Sequence, residues 1–187
     1  MLKKALRIKY KDLRKLLSEV ELDEKSLAIA NAVLTLPICD NSYFHVFLPI
    51  TEHKEVNTEF ILHLLAGKDK EIVVSKSDFQ TRKMTHFLLT DNTKKKKNAY
   101  NIPEPVNGLE VPANKNEGVF IPLLAFDKKG HRVGYGKGFY DLFLSECTPE
   151  VIKIGLSFFD AEDLIEDVYD NDVQLDYCVT PITVYKF

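Results

Sequence analysis

The most informative stretch of this sequence is residues 118–141, which read GVFIPLLAFDKKGHRVGYGKGFYD. Its first part, residues 118–126, is almost continuously apolar, as is typical of a central strand buried on both faces of a parallel sheet. Residues 127–130 have turn chemistry, and the glycine-rich segment 134–138 opens a helix that we expect to end near Glu146. The stretch therefore predicts a buried strand, a turn and a glycine-rich connection into a helix.

The flanking sequence alternates between helical and strand-like hydrophobic patterns. We predict helices over residues 2–20, 23–36 and 58–66, a helical turn over 161–167, and strands over 43–48, 71–76, 86–89, 151–158 and 177–185, the last interrupted by Pro181. This alternation is typical of an α/β fold with a largely parallel sheet. No linker or repeat divides the chain, so we expect one domain over residues 1–187.

The composition excludes several classes of protein. Of the 187 residues, 45% are hydrophobic, which is ordinary for a packed protein and argues against global disorder. No apolar run approaches the roughly 20 residues that a membrane-spanning helix needs, so we expect no membrane insertion. The formal net charge of −3 argues against a general nucleic-acid binder, which usually has a basic excess.

The cysteines and the first residues predict a cytoplasmic protein. Cys39, Cys147 and Cys178 are odd in number and widely separated, so they support neither a disulfide framework nor a zinc site. The segment 1–4 leads into a charged helix rather than the apolar core of an export signal. A reducing compartment agrees with both features.

A long irregular stretch, residues 91–115, contains the lysine run 94–97. Loops of this length in compact domains are usually functional or mobile, and adjacent like charges repel one another. We expect an exposed, disordered loop tip. Contact with RNA or with a polyglutamate tail remains an alternative for the lysines.

The glycine-rich segment has the features of an anion site. Four of the eight glycines fall within residues 130–138, and alternate glycines permit positive φ angles and close approach of the backbone to a ligand. The following helix would add free N–H groups, for which phosphate is a common ligand. The segment is neither a P-loop nor a dinucleotide fingerprint, because it has neither the Gly-Lys-Ser/Thr order nor the third-glycine spacing. A tight connection without any ligand is the alternative.

Three charged residues beside the glycines favour a phosphate. Arg132 and Lys137 supply the cationic donors that phosphate oxygens prefer. Asp141, in the first turn of the predicted helix, could hold a divalent cation that bridges those oxygens, or could simply interact with the helix dipole.

The segment resembles the signature of the 5-formyltetrahydrofolate cyclo-ligase family, also called methenyltetrahydrofolate synthetases. That signature is a strand ending in Ala-Phe-Asp, a glycine turn and then R-x-G-x-G-x-G-[FY]-Y-D, here residues 125–127, Gly130 and residues 132–141. Four further motifs of the family occur in order: Lys3 with Arg7, the E-[VI]-[DN]-T motif at 55–58, Ile-Pro-Glu-Pro at 102–105, and Asp176 ahead of the Val-Thr-Pro segment 179–181.

The resemblance implies a fold, an activity and a set of site residues. The fold would be three-layered, with helices on both faces of a largely parallel sheet, as in NagB, RpiA and the CoA transferases. The activity would be the ATP- and Mg²⁺-dependent conversion of 5-formyltetrahydrofolate, with or without a polyglutamate tail, to 5,10-methenyltetrahydrofolate. Independently of the resemblance, we expect a monomer. The implied catalytic residues are Glu55, Arg132 and Lys137. The implied ATP contacts are Lys3, Arg7, Arg132, Val133, Gly134, Tyr135, Gly136, Lys137, Gly138, Phe139 and Tyr140.

The resemblance also implies contacts for the folate and the metal. The folate would lie against Leu48, Glu55, Tyr100, Tyr135 and Phe139, and Mg²⁺ would be held by Asp141 and Asp176. A non-catalytic relative that binds nucleotide or folate without turnover is the alternative function. The five histidines have no metal-binding spacing, and we assign them no catalytic role.

Overall fold

The computed structural model describes all of residues 1–187 and has a seven-stranded central sheet. Its strands are β1 (Tyr43–His45), β2 (Glu71–Ser77), β3 (Met84–Leu88), β6 (Gly118–Pro122), β9 (Ile152–Leu156), β10 (Tyr177–Val179) and β11 (Val184–Lys186). The order is β11-β10-β9-β6-β1-β2-β3, with five parallel strands and one antiparallel strand at each edge. Two short ribbons lie outside this sheet, formed by β4 (Lys95–Lys97) with β5 (Pro103–Pro105), and by β7 (Ala125–Phe126) with β8 (Arg132–Val133).

Helices cover both faces of the sheet, which confirms the three-layer α/β arrangement. The helices are α1 (Lys3–Leu16), α2 (Glu19–Val33), α3 (Glu59–Ala66) and α4 (Phe139–Glu146). Phe44 and Phe120 point into the core that α2 and α3 close. Val119 and Ile121, which alternate with Phe120 along β6, point into the core that α4 closes. Val119, Phe120 and Ile121 are fully buried, as predicted for a strand covered on both faces.

The first two helices meet at a boundary that differs from the prediction of one helix over 2–20. The amphipathic pattern continues across this point, but α1 ends at Leu16 and α2 begins at Glu19. The Ser18 hydroxyl accepts a hydrogen bond from the Glu21 amide, and the Glu21 carboxylate accepts one from the Ser18 amide. This reciprocal capping box satisfies two amides and makes residue 18 a helix start.

Two other predictions are corrected by pairing between distant segments. Residues 161–167 form no helical turn, because Glu162 forms a parallel bridge with Asp127 and the Asp127 carboxylate accepts a hydrogen bond from the Ile165 amide. The lysine run is exposed, as expected, but it is not disordered: residues 95–97 form β4 and pair with β5.

The order of the strands determines where a ligand can bind. After β1 the chain adds β2 on one side, whereas β6, β9 and β10 follow one another on the other side. The direction of winding therefore reverses between β1 and β6. In open α/β sheets, ligands bind beyond the carboxyl ends of the strands at this switch point.

Candidate functional site

A cavity of about 400 Å³ lies at that switch point. One side of it is formed by the ends of β1, β2 and β6 and, beyond β1, by Phe47, Leu48 and Ile50. The glycine-rich segment and the start of α4 form the other side, and one face of α1 closes the end. The site is thus built from segments that are far apart in the sequence.

The glycine-rich segment has the backbone geometry that its sequence predicts at two of the three alternate glycines. Gly136 and Gly138 have φ angles of 88° and 74°, in the left-handed region that favours glycine. A Cβ at Gly136 would lie 3.3 Å from Cζ of Arg7, so the guanidinium packs directly on this backbone. Gly138 is the N-cap of α4 and offers no side chain to its first amides, which leaves that helix start free for an anion.

Cations surround the end of the cavity next to these glycines. Arg7 donates from Nε to the Gly134 carbonyl at 2.9 Å, which fixes α1 against the glycine-rich segment. Lys3 is 6% exposed, and its ammonium group pairs with Asp172. Lys137 is exposed at the rim. The residue types and their convergence suit a polyphosphate.

Arg132 connects the glycine-rich segment with two acidic residues. Its Nη2 donates to Oδ1 of Asp141 at 2.5 Å, and its Nη1 donates to the Val173 carbonyl. Val173 follows Asp172, and the carboxylates of Asp141 and Asp172 both line the cavity. Burial alone would raise the pKa of Asp172, but hydrogen bonds from Lys3 and the Tyr169 amide, with the charges of Lys3 and Arg132, lower it below its usual value, so the carboxylate is ionised at neutral pH.

Asp176 is not brought to this site, which corrects its predicted pairing with Asp141. It immediately precedes β10 and lies beside Lys153, at the amino ends of the parallel strands. Its Oδ2 accepts hydrogen bonds from the Lys153 amide at 2.7 Å and is 2.8 Å from Nζ of Lys153. The cavity lies at the carboxyl ends of the parallel strands, where Asp172 is the second aspartate beside Asp141.

Glu55 is a buried carboxylate held in one orientation. Its Oε2 accepts from the Ile50 amide at 2.7 Å and its Oε1 accepts from the Tyr135 hydroxyl at 2.6 Å. Burial raises the pKa of the Glu55 carboxyl, and these hydrogen bonds with the charge of Arg14 offset only part of that effect. The carboxylate is thus held in a fixed position from which it can stabilise positive charge in the cavity.

Most of the remaining predicted site residues also reach the cavity. Leu48, Tyr100 and Phe139 line its apolar end, and Tyr100 stacks on Phe79 with ring centroids 4.1 Å apart. Gly134, Tyr135, Gly136, Gly138 and Tyr140 line it as well. Val133 does not, because its side chain is fully buried in a small core under α1.

Sequence reasoning missed the part that Arg14 plays. Arg14 is 3% exposed and donates to the Leu123 carbonyl at 2.5 Å and to the Tyr135 hydroxyl at 2.8 Å. Its position on α1 continues the buried face of Leu6 and Tyr10 at helical spacing, and that periodicity was a readable signal. No local signal marks Asp172, since only the folded chain brings it opposite Asp141.

Comparison with known proteins agrees with this geometry. A sequence model of the 5-formyltetrahydrofolate cyclo-ligase family matches residues 1–181. The 5-formyltetrahydrofolate cyclo-ligase of Mus musculus is 31% identical over 154 residues, which are 78% of this chain and 75% of that protein. The Mycoplasma genitalium protein of the same name is 40% identical over 73 residues, which span 44% of its length.

A solved structure supports the same relationship. The 5,10-methenyltetrahydrofolate synthetase of Aquifex aeolicus superimposes with a TM-score of 0.82 at 29% identity, over 100% of this chain and 93% of that one. The sequence signature, the fold and the cavity that gathers the signature residues therefore lead to one conclusion. This chain belongs to the 5-formyltetrahydrofolate cyclo-ligase family.

Proposed function

We propose that this protein catalyses the ATP-dependent conversion of 5-formyltetrahydrofolate to 5,10-methenyltetrahydrofolate, with release of ADP and phosphate. One observation carries the proposal: α1, the segment after β1, and β8 bring Lys3, Glu55 and Arg132 to one cavity. The names of the relatives support it. The proposed catalytic unit is the single domain 1–187.

The reaction needs a better leaving group than a formyl oxygen. The γ-phosphoryl group of ATP passes to that oxygen, the bond to the bridging oxygen of ATP breaks, and ADP leaves. The neighbouring secondary amine of the folate then attacks the formyl carbon, closes the ring and expels the oxygen as phosphate, which takes up the amine proton. Charge neutralisation and positioning carry most of such a phosphoryl transfer.

The phosphates of ATP would lie between the cations and the glycine-rich segment. Lys3, Arg7, Arg132 and Lys137 supply the positive charge, and the first amides of α4 supply further donors. Arg132 and Lys137 would neutralise the transferring phosphoryl group. The apolar end of the cavity, with Leu48, Tyr100 and Phe139, would receive the folate.

The acidic pair suits a Mg²⁺ ion bound together with ATP. Asp141 and Asp172 present carboxylates to the same cavity, and Arg132 lies against the first and beside the second. Mg²⁺ is usually held by one or two carboxylates plus substrate phosphates and water, and would neutralise phosphate charge here. We assign the ion to Asp141 and Asp172, in place of Asp176.

Glu55 would act at the folate. The product ring carries a positive charge, and a fixed carboxylate in a buried site stabilises such charge as it develops. The Tyr135 hydroxyl and the Ile50 amide hold both carboxylate oxygens, so little reorganisation would be needed during ring closure.

The proposal extends to the state and location of the protein. We infer a monomer that acts on free small molecules, without nucleic acid or membrane, in the cytoplasm. The net charge of −3 and three unpaired cysteines support this inference. No helix of the structure is both long enough and apolar enough to span a bilayer.

A spectrophotometric assay tests the activity. Purified protein with 5-formyltetrahydrofolate, ATP and Mg²⁺ should produce the near-ultraviolet absorbance of the methenyl product. Omission of ATP should abolish the rise. Binding of both ligands without any product would instead identify a non-catalytic relative.

A further inference from the structure

Two buried histidines and a serine form a hydrogen-bonded chain under the apolar end of the cavity, and the proposed reaction does not use them. The hydroxyl oxygen of Ser75 lies 2.8 Å from Nε2 of His45 and 2.7 Å from Nδ1 of His86. His45 and Ser75 line the cavity, whereas His86 lies behind them. His45 is 1% exposed and His86 is 4% exposed.

The sheet itself sets this geometry. The three residues come from neighbouring strands β1, β2 and β3, and Ser75 is directly paired with His86 in the antiparallel register. The His45 ring packs edge-on against Phe143, with centroids 4.9 Å apart, and against Tyr140 at 5.9 Å. The rings therefore have little freedom to turn.

Both imidazoles are uncharged at neutral pH. Burial, reinforced by the neighbouring His86, lowers the pKa of His45 well below its usual value, and burial lowers the pKa of His86 to about 4. A neutral imidazole has one donor and one acceptor nitrogen. Because Ser75 has one hydroxyl proton, it can donate to only one of the two rings.

The outer nitrogens of the chain have no partner within the protein. These are Nδ1 of His45 and Nε2 of His86. When Ser75 donates to one ring and accepts from the other, one outer nitrogen is a donor and the other an acceptor. His45 can therefore act either as a donor or as an acceptor towards a ligand, and both imidazoles stay uncharged.

The surroundings define which ligand chemistry suits this chain. Phe47, Leu48, Met84, Phe139 and Tyr140 line the cavity around it, and the cations gather at the other end. An apolar slot with a neutral polar floor favours a flat ring that has uncharged donors and acceptors along one edge. Burying a charged group there without a counter-ion would be costly.

We propose that the His45–Ser75–His86 chain recognises the uncharged polar edge of the pterin ring, with His45 and Ser75 determining specificity and His86 positioning them. This inference rests on the proposed function, which supplies a substrate with such a ring. The pterin edge carries amide-like donors and acceptors side by side. Because the two imidazoles can exchange tautomers, the His45–Ser75–His86 chain could pair with either a donor or an acceptor on that edge.

Nuclear magnetic resonance tests the contact without turnover. The full-length protein, with histidines labelled with ¹⁵N, is titrated with 6-methyltetrahydropterin and, separately, with p-aminobenzoylglutamate. We expect the pterin compound to shift the imidazole nitrogens of His45 and His86, and p-aminobenzoylglutamate to leave them unchanged. Absence of a shift with the pterin, or a shift with p-aminobenzoylglutamate alone, would overturn the inference.

Paired substitutions separate recognition from a structural role. Ser75→Ala and His86→Leu should raise the Kd of 5-formyltetrahydrofolate roughly tenfold, about the effect of one hydrogen bond, and leave the Kd of ATP unchanged. Ser75→Thr and His86→Asn keep a hydrogen-bonding group and should remain within about threefold of the parent. Lys76→Ala, exposed on the same strand, is the matched control.

The outcomes distinguish this inference from the proposed activity. Equal loss of affinity for both ligands, together with loss of stability, would make the chain merely structural and refute the inference. A protein that shows the pterin-dependent shifts but no product would retain the inference and lose the activity. An active enzyme whose histidine resonances do not move would retain the proposed activity and refute the inference.

Discussion

Tyr135 donates its hydroxyl hydrogen to Oε1 of Glu55 at 2.6 Å, while its own oxygen accepts from Nη1 of Arg14 at 2.8 Å. The arginine lies on α1 and the tyrosine in the glycine-rich segment, so a buried cation and a buried carboxylate are coupled through one hydroxyl. The Ile50 amide holds the second carboxylate oxygen. This arrangement keeps the ionised form of Glu55 accessible although burial raises its pKa.

Tyr135→Phe should therefore lower kcat about tenfold and shift the acidic limb of the pH–rate profile to higher pH. Removal of the hydroxyl takes away a hydrogen bond that favours the carboxylate, so the pKa of Glu55 should rise further. The measurement is kcat between pH 5 and about 8, with calorimetric ATP affinity as a second readout that should not change. Tyr185→Phe, whose hydroxyl lies 3.3 Å from Asp160 instead, serves as the control. A parental pH profile in Tyr135→Phe would show that the hydroxyl does not tune Glu55.

The metal assignment predicts a contrast between three aspartates. Asp141→Asn and Asp172→Asn should raise the Mg²⁺ concentration for half-maximal activity at least tenfold, because each removes a carboxylate ligand from the cavity. Asp176→Asn should leave that concentration unchanged, because the Asp176 carboxylate pairs with Lys153 at the amino ends of the parallel strands, away from the cavity. The measurement is a Mg²⁺ titration of the rate at saturating ATP.

One further variant separates the metal from the nucleotide. Asp172 also pairs with Lys3, so its substitution disturbs a cation that we place on ATP. Lys3→Met should raise the KM for ATP and leave the Mg²⁺ requirement close to that of the parent. A raised Mg²⁺ requirement in Asp176→Asn, with the requirement of Asp172→Asn unchanged, would restore the pairing expected from the sequence.

The buried histidines predict acid lability. An unfolded chain protonates His86 near its ordinary pKa, whereas the folded protein resists protonation until about pH 4. Between these values the unfolded state binds more protons, so this contribution to stability is complete above about pH 6.5 and is lost as pH falls. Glu55 acts in the opposite direction, since its raised pKa lets the folded state hold a proton longer.

Scanning calorimetry at pH 7 and at about pH 5 should then show the Tm of the parent falling by several degrees. His86→Asn should reduce this decrease, because one group that must stay neutral in the folded state is gone. His63→Asn, at an exposed position on α3, should keep the full decrease. An equal decrease in His86→Asn and in the parent would refute this linkage.

Sequence reasoning succeeded where the signal is local. The apolar run at β6 predicted a strand buried on both faces, and the spacing of Gly136 and Gly138 predicted a backbone with positive φ angles. The capping box at Ser18 was also local, but a continuous amphipathic pattern concealed it. Local patterns therefore predicted the helices and strands but misplaced the boundary between α1 and α2.

The failures concern residues that only tertiary structure brings together. Asp172 and Asp176 are only four residues apart in the sequence, and the direction of β10 places Asp176 at the end of the sheet away from the cavity. His45 and His86 have no spacing that marks a site, since the register of three strands brings them to Ser75. Periodicity reports which face of an element is buried, but not which side chains meet across a sheet.

Residues 95–97 of the lysine run form a strand because they pair with β5, a contact that periodicity does not report. The position of this strand leads to a last prediction. The buried Glu104 carboxylate accepts from the Ser77 amide at 2.9 Å, which anchors β5 and hence β4 to the end of β2. Lys97 pairs with Glu52 at 2.9 Å, and Lys94, Lys95 and Lys96 form no ion pair. The ribbon is connected to Tyr100, which lines the cavity, so its positive charge is only a few residues away from a ligand bound there.

Lys95→Gln combined with Lys96→Gln should reduce the advantage of a pentaglutamate substrate over the monoglutamate about three- to tenfold, because exposed cations attract a polyanion through screened Coulomb interactions. The measurement is the ratio of the two KM values at about 0.05 and 0.3 M salt, and the parental advantage should shrink at the higher salt. Lys186→Gln, exposed on β11 at the far edge of the sheet, is the control. Equal KM values for both substrates in the parent would exclude the tail as the partner of these lysines. Salt-sensitive RNA binding that disappears in the double variant would then assign the ribbon to a different polyanion.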